Sequence, residues 1–277
     1  IGNLAPTVTL NSGSSSDLIP VISGPDKQIR VKATDSGRLI FDSGTIELPD
    51  KSNELFAIVD DFGPDKDDHV NVIRTLSAAR TIMADASQSA RARIANFSQF
   101  ESLSASLDQV QFDELNRQSF SDYADIPAGS KQLIVKDTEE IIEESAQSGF
   151  DGNFKTVYIF SDENNEGKQV TKSLSVLDDR RPIIDRAIFS FANGSNEAID
   201  VYAVEPGDGI DDQRPLLNDF GFGASETLEV LARPSDLVVA NQESSETLGV
   251  ISVNFVPGEA FTVIRDNVGT LTLKVSP

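Results

Sequence analysis

The sequence predicts an all-β chain of three tandem antiparallel β-sandwich modules, and three observations carry that reading. Apolar residues alternate with polar ones at period two over short runs. Gly, Pro, Asn and Asp turns interrupt those runs at short intervals. Related runs recur about one small domain apart. The clearest recurrence is GPDKQIRVKAT from Gly24 and AGSKQLIVKDT from Ala128, which place the same Lys-Gln pair at Lys27 and at Lys131.

A third copy of this element runs from Gly223 to Ala232. Ile29, Leu133 and Leu228 take one apolar position, and Val31, Val135 and Val230 the position two further on, with Arg30 and Glu229 between them. That alternation is a strand with one buried face. Glu226 and Thr227 replace Lys-Gln in the third copy, which places the pair on the solvent side. Asp17–Gly24, Asp122–Gly129 and Leu216–Gly223 each close on a glycine suited to the turn that starts the hairpin. Downstream, Leu55–Asp61, Thr156–Asp162 and Ala260–Asp266 are apolar on both faces, as in a central strand covered on both sides. A polar, Gly-containing turn and a last alternating strand follow, near Val70–Arg74, Val170–Val176 and Thr270–Val275.

The modules also begin alike. RARIANF from Arg91 matches RAIFSFAN from Arg186, and second strands follow at Leu103–Asp108 and Ala198–Val204. In the first copy APTVTLN from Ala5 is that second strand, so the first module lacks most of its first strand. DTEEIIEESAQ from Asp137 offers a helix cap at Thr138. The copies TDSGRLIFDSG and RPSDLVVANQ read as a turn and then a strand, so this segment is expected to be a strand. Each module then holds about seven short strands, an Ig-like sandwich with a small barrel as the alternative. The expected boundaries are 1–83, 84–182 and 183–277, and the short joints suggest modules arranged end to end.

Composition narrows the function classes. The 277 residues carry 45 acids against 23 bases, a net charge of −22 that disfavours nucleic acid and anionic membrane surfaces as partners. With no cysteine, thiol catalysis, thiolate metal sites and disulfides are excluded. No apolar run approaches the roughly 18 residues of a membrane span. The sequence opens at Ile1 without Met or signal peptide, and an upstream segment is expected to have been removed.

FANGSNEAIDVYAVEPG from Phe191, FGFGASETLEVLA from Phe220 and PGEAFTVI from Pro257 resemble the bacterial domain-of-unknown-function family 4397 (DUF4397). Asp200-Val201-Tyr202 and Phe261-Thr262-Val263 stand at that family's "A-x-D-V-Y" and "G-x-x-Y-T-V" strands. The middle copy has LSASLD instead of Asp-Val-Tyr, and the first keeps APTVTL, so the likeness spans the chain and is strongest in the third copy. The resemblance implies a β-sandwich module of bacterial envelope or secreted proteins, often behind a signal or lipoprotein peptide, with no assigned reaction. It therefore implies an extracytoplasmic location: periplasm, outer-membrane lipoprotein or secreted.

Candidate chemistry is sparse. His69 is the one histidine and has no G-x-S-x-G partner, so a surface position is expected. Asp60, Asp61, Asp65, Asp67 and Asp68 crowd one loop, and Asp208, Asp211 and Asp212 another; oxygen clusters suit Ca²⁺, although neither has EF-hand spacing. Glu139, Glu140, Glu143 and Glu144 offer carboxylates for glycoside hydrolysis or, more simply, an exposed acidic edge. Phe97, Phe100, Phe112, Phe120, Tyr123 and Tyr158 suggest a sugar platform or, in the absence of Trp, core packing. FGFGAS from Phe220 lacks the Lys and helix of a phosphate loop and reads as a hairpin turn. The function expected is non-enzymatic: adhesion, scaffolding or assembly at a cell envelope, through a protein or glycan partner. The alternative is a glycan- or Ca²⁺-binding surface module.

Overall fold

The computed structural model describes residues 8–60, 70–76, 79–150, 152–163, 169–179 and 183–276, and every helix-or-strand element among them is a strand. The chain divides into two compact units, one ending at Gln88 and one starting at Ser89. Several small sheets pack in pairs around apolar cores, the arrangement of β-sandwich modules.

The first unit holds β1 (Gly24–Lys27), β2 (Arg30–Lys32), β3 (Leu39–Asp42), β4 (Ile46–Leu48), β5 (Glu54–Asp60), β6 (Val70–Leu76) and β7 (Ala79–Ile82). β1–β4 and β2–β3 are two halves of one hairpin, with Gly24 opposite Leu48 and Arg30 opposite Asp42. β5, β6 and β7 form an antiparallel sheet in that order. Phe41, Val72 and Met83 are buried between them, with Ile29, Val31, Ile46, Phe56 and Val70 packed around. Two ion pairs brace this small core. Arg74 donates to Glu54 at 2.6 and 2.8 Å, and Asp42 accepts from Arg30 at 2.9 Å and Gln28 at 2.6 Å. The strand expected at Ala5–Asn11 is not found over Val8–Asn11: these residues are exposed, and Asn11 turns back on Ser14 through 2.6 and 3.0 Å bonds.

The second unit contains two sandwiches. The first comprises β8 (Ala90–Phe97), β9 (Ser102–Leu107), β10 (Val110–Asn116), β11 (Ser119–Phe120), β12 (Ala124–Ile126), β13 (Gly129–Asp137), β14 (Glu140–Phe150), β15 (Phe154–Glu163) and β16 (Gln169–Leu177). Sheet β10-β9-β13-β14 faces a sheet in which β11 and β12 flank β8, followed by β15 and β16. Ile94, Leu107, Leu133, Phe150 and Val157 are fully buried between them. The next sandwich comprises β17 (Arg186–Asn193), β18 (Ile199–Val204), β19 (Leu217–Phe220), β20 (Ser225–Leu231), β21 (Pro234–Asn241), β22 (Thr247–Asn254), β23 (Ala260–Arg265) and β24 (Leu271–Ser276). Its sheets, β19-β18-β21-β22 and β20-β17-β23-β24, repeat the same topology, β20 standing where β11 and β12 stand. Among the described residues nine and eight strands stand where about seven were expected: β10 and the split of β11 from β12 add two to the first sandwich, and β22 adds one to the next. The segment from Asp137 is a turn and then a strand as expected, with Thr138 at φ 56° in the turn and β14 beyond it.

In both sandwiches the first strand runs parallel to the penultimate one, β8 beside β15 and β17 beside β23. Each first strand ends in the same buried device. Asn96 donates to the Phe100 and Leu115 carbonyls at 3.1 and 2.9 Å and accepts from the Ser98 amide and hydroxyl at 3.1 and 2.6 Å. Asn193 donates to Glu197 and Phe220 at 3.0 and 2.9 Å and accepts from the amide and hydroxyl of Ser195 at 3.1 and 3.0 Å. Each Asn ties its strand end to two other segments with no polar atom left over.

This device corrects the register read from sequence. Asn96 corresponds to Asn193, two residues away from the match of Arg91 to Arg186. Leu133 lies on β13, central in its sheet, and its topological counterpart is on β21; Leu228 lies on the edge strand β20 of the opposite sheet. The turn at Gly221–Gly223 is accordingly a crossover between sheets, from β19 to β20, where a hairpin was expected. The Lys-Gln pair also divides: Gln132 is exposed, whereas Lys131 shares the inward face of Leu133 and Val135 and is buried. Its stem lies over the core while its Nζ reaches the Ala128 carbonyl at 3.2 Å and Asp108 at 3.3 Å.

The two sandwiches do not meet end to end. β8 starts beside Phe154 and β16 ends beside Lys155, so the chain leaves the first sandwich at the end where it entered. The next sandwich then covers the outer face of the β8-β15-β16 sheet. Ala95, Phe97, Tyr158, Phe160 and Val176 bury against Ala192 and Ile264, with Phe120, Leu174 and Phe222 alongside. Gly194 receives the Phe160 ring, and Gln118 and Arg117 reach Asp266 at 3.0 and 3.9 Å.

Candidate binding seam

β14 and β16 are the open edges of the two facing sheets, and their inward residues meet along one flank. On β14 Glu143, Ser145 and Gln147 stand opposite the inward Val135, Leu133 and Lys131. On β16 Thr171, Ser173 and Ser175 stand opposite Ser161, Ile159 and Val157. Period two thus delivers six polar side chains to a position where a sandwich ordinarily closes with apolar ones. The following sandwich does close that way: Gly249 and Ile251 of β22 meet Leu271 and Leu273 of β24, which pack against its core.

The polar seam opens as a groove of about 540 Å³ lined by Glu143, Gln147, Ser148, Lys155, Lys172 and Ser175 among others. Gln147 donates to Ser145 and Ser173 at 3.0 and 2.9 Å. The two hydroxyls are 2.9 Å apart, and Ser173 donates to Glu143 at 3.1 Å. An ionised carboxylate only accepts, so the protons run one way: Gln147 to the serines, Ser145 to Ser173, and Ser173 to Glu143. Ser175 Oγ, beside this chain, is buried without a hydrogen-bond partner. Lys155 donates to the Ser148 carbonyl at 3.0 Å and stands 5.4 Å from the Phe150 ring centre, and Lys172 lies 4.3 Å from that of Phe222. Such a seam can hold a neutral, hydroxyl-rich ligand: it offers alternating donors and acceptors, and its charged groups are already engaged.

The expected site residues distribute differently. Asp60 ends β5 and is exposed; Asp61, Asp65, Asp67, Asp68 and His69 lie outside the described residues. Asp208, Asp211 and Asp212 are exposed turn residues, and among the described residues no three His, Asp or Glu side chains group as a cation site. The Glu139–Glu144 carboxylates do not converge. Glu143 points into the seam, while Glu144 faces away and accepts from Gln132 at 3.2 Å. The aromatic residues pack in cores: Phe97, Phe112 and Tyr158 are buried, and Phe100 and Phe120 line core clusters. Arg93 is held between Phe120 and Tyr123, 4.7 Å from each ring centre, and donates to Thr156 at 2.9 Å. Thr156 and Tyr123 in turn donate to Asp178 at 2.7 Å each, and burial pushes the Tyr158 phenol well above its usual range. This cluster fixes the outer sheet face.

The seam was missed in sequence because its residues are individually ordinary. The available signal was Glu-x-Ser-x-Gln facing Thr-x-Ser-x-Ser at period two, against the apolar equivalents of the following module.

No family model matches the chain, and no curated protein matches it. Among solved structures, similarity is found to the crystal structure of CBMbc, a family CBM26 module from Eubacterium rectale Amy13K, in complex with maltoheptaose. That match has 10% identity, covers 68% of this chain and 97% of that chain, and has a TM-score of 0.22, too low to carry an argument about fold or ligand.

Proposed function

We propose that the chain is a non-enzymatic protein of the bacterial cell envelope or of secreted material, serving adhesion, scaffolding or assembly. Three tandem Ig-like modules of the DUF4397 type, extracytoplasmic in location, are the architecture that goes with it. The observation that supports this is the aromatic core joining the two sandwiches of the second unit, which commits Phe97, Tyr158 and Phe160 to packing between modules. A broad hydrolase screen on the purified chain is expected to show no turnover. Turnover abolished by Glu143→Gln would overturn the proposal.

A second reading, glycan binding, is favoured by the polar seam. A neutral oligosaccharide would lie along β14 and β16, exchanging hydrogen bonds with Gln147 and the serines. A glycan array is expected to return neutral chains whose binding is lost in Gln147→Leu; an empty array removes the reading. Ca²⁺ binding by the Asp60–Asp68 loop is tested separately. A calcium-dependent rise in melting temperature, abolished by Asp65→Ala with Asp67→Ala, would support it, and a flat titration would end it.

A further inference from the structure

In the sandwiches of the second unit, β15 and β23 are true central strands. Val157, Tyr158, Ile159 and Phe160 are buried, as are Phe261, Val263 and Ile264, on both faces and with a ladder on each edge. Their counterpart in the first unit is β5, which has the same two-sided apolar sequence, Leu55-Phe-Ala-Ile-Val59, and the same following hairpin strand, β6. Among the described residues of its unit β5 pairs with β6 alone. Leu55 is 64% exposed and Ile58 43%, on opposite faces of the strand. The place beside β5 that β8 and β17 fill in the other modules has no strand among the described residues of the unit.

We propose that this edge of β5 is a docking site for an extended segment of another polypeptide chain, added parallel as a fourth strand. The segment has the chemistry of Arg91–Phe97 and Arg186–Asn193: arginine at its start, then alternating apolar residues. Two features of the molecule specify that occupant. The parallel ladder is formed twice in the same chain by strands of this pattern, so the backbone geometry of the module accepts it. An arginine-led strand is also electrostatically matched to a chain of net charge −22. Strand addition draws affinity from main-chain hydrogen bonds and specificity from alternate side chains, here against Leu55 and Ile58. An unblocked apolar edge of this kind is otherwise an aggregation hazard.

The test uses the full chain and a peptide with the sequence of residues 89–99. Hydrogen exchange read by mass spectrometry is expected to show β5 amides slowed by about tenfold or more on saturation with the peptide, and unchanged with a scrambled one. Leu55→Lys with Ile58→Lys, both at exposed positions, is expected to keep the melting profile and lose that protection. Three results would overturn the proposal. In one, β5 amides are already protected in the dilute free chain. In another, protection rises with protein concentration without peptide, which would assign the edge to a second copy. In the third, the peptide protects β15 or β23 equally, which would mean strand exchange in the second unit.

Discussion

Gly194 gives the sharpest test of how the two sandwiches of the second unit are joined. A Cβ built there would stand 2.5 Å from Phe160 Cε1, closer still to Cδ1, and 2.9 Å from the Arg265 carbonyl oxygen. Ordinary contact needs about 3.4 Å or more, so the ring must move by about 1 Å. It has nowhere to go, being fully buried and stacked on Tyr158 at 6.0 Å with the planes 9° apart. Forced overpacking of this kind costs about 1–3 kcal/mol, and the backbone oxygen behind places Gly194→Ala in the upper half of that range. At an unobstructed site the same change would stabilise by about 0.4–1 kcal/mol through the unfolded chain, so even the sign is informative. For a unit of this size a loss of about 2–3 kcal/mol lowers the melting temperature by about 4–12 °C. Phe160→Ala alone should cost about 3–5 kcal/mol. Because it removes the obstruction, the double variant should fall short of the sum by about 1 kcal/mol or more. Calorimetry and urea unfolding of the four chains complete the cycle. A neutral or stabilising Gly194→Ala, or strict additivity, would refute the packing argument.

Asn96→Ala and Asn193→Ala each orphan buried carbonyls and a Ser hydroxyl, and each should cost about 2–4 kcal/mol in urea unfolding, with Ser or Asp failing to restore it. In the first unit the Arg74 guanidinium holds the Glu54 carboxyl below its ordinary value of 4.5. The folded value being the lower, the pair stabilises above that pH and the benefit is lost as pH falls through the folded value. The calorimetric advantage of the native chain over Glu54→Gln should therefore be full at pH 7 and shrink below about pH 4.5. Ser175→Ala removes an unpaired buried hydroxyl, so it should leave stability unchanged or raise it by up to about 1 kcal/mol, whereas a hydroxyl satisfied by water would make it destabilising.

Strand existence and type were legible because period two is a local property: the hairpin from Gly24 to Leu48 and that from Gly129 to Phe150 match in sequence, and each shifts register just after the equivalent valine, Val31 and Val135. Which sheet a strand joins was not legible. β13 and β20 both follow a glycine and alternate Leu-x-Val, yet one is central and the other is the edge of the opposite sheet. Alternation says that one face is buried and is silent on the partner. Lys131 was misread for a related reason: a lysine at an inward position buries its methylenes and exports its charge, which residue type alone does not reveal. Asn96 and Asn193 would have fixed the register, since Asn-x-Ser closes both first strands. The seam needed that register first, because only corrected copies set Ser173 and Ser175 against Leu271 and Leu273.

The return of each sandwich's last strand to the end where its first began has a consequence under tension. Pulling on the two ends of the third module draws the start of β17 and the finish of β24 away from the same end of β23. The load reaches the ladders at their terminal rungs, Ile188–Ala260 and Ala260–Ser276, and opens them one after another instead of shearing all of them at once. Such a module yields at low force and lengthens gradually.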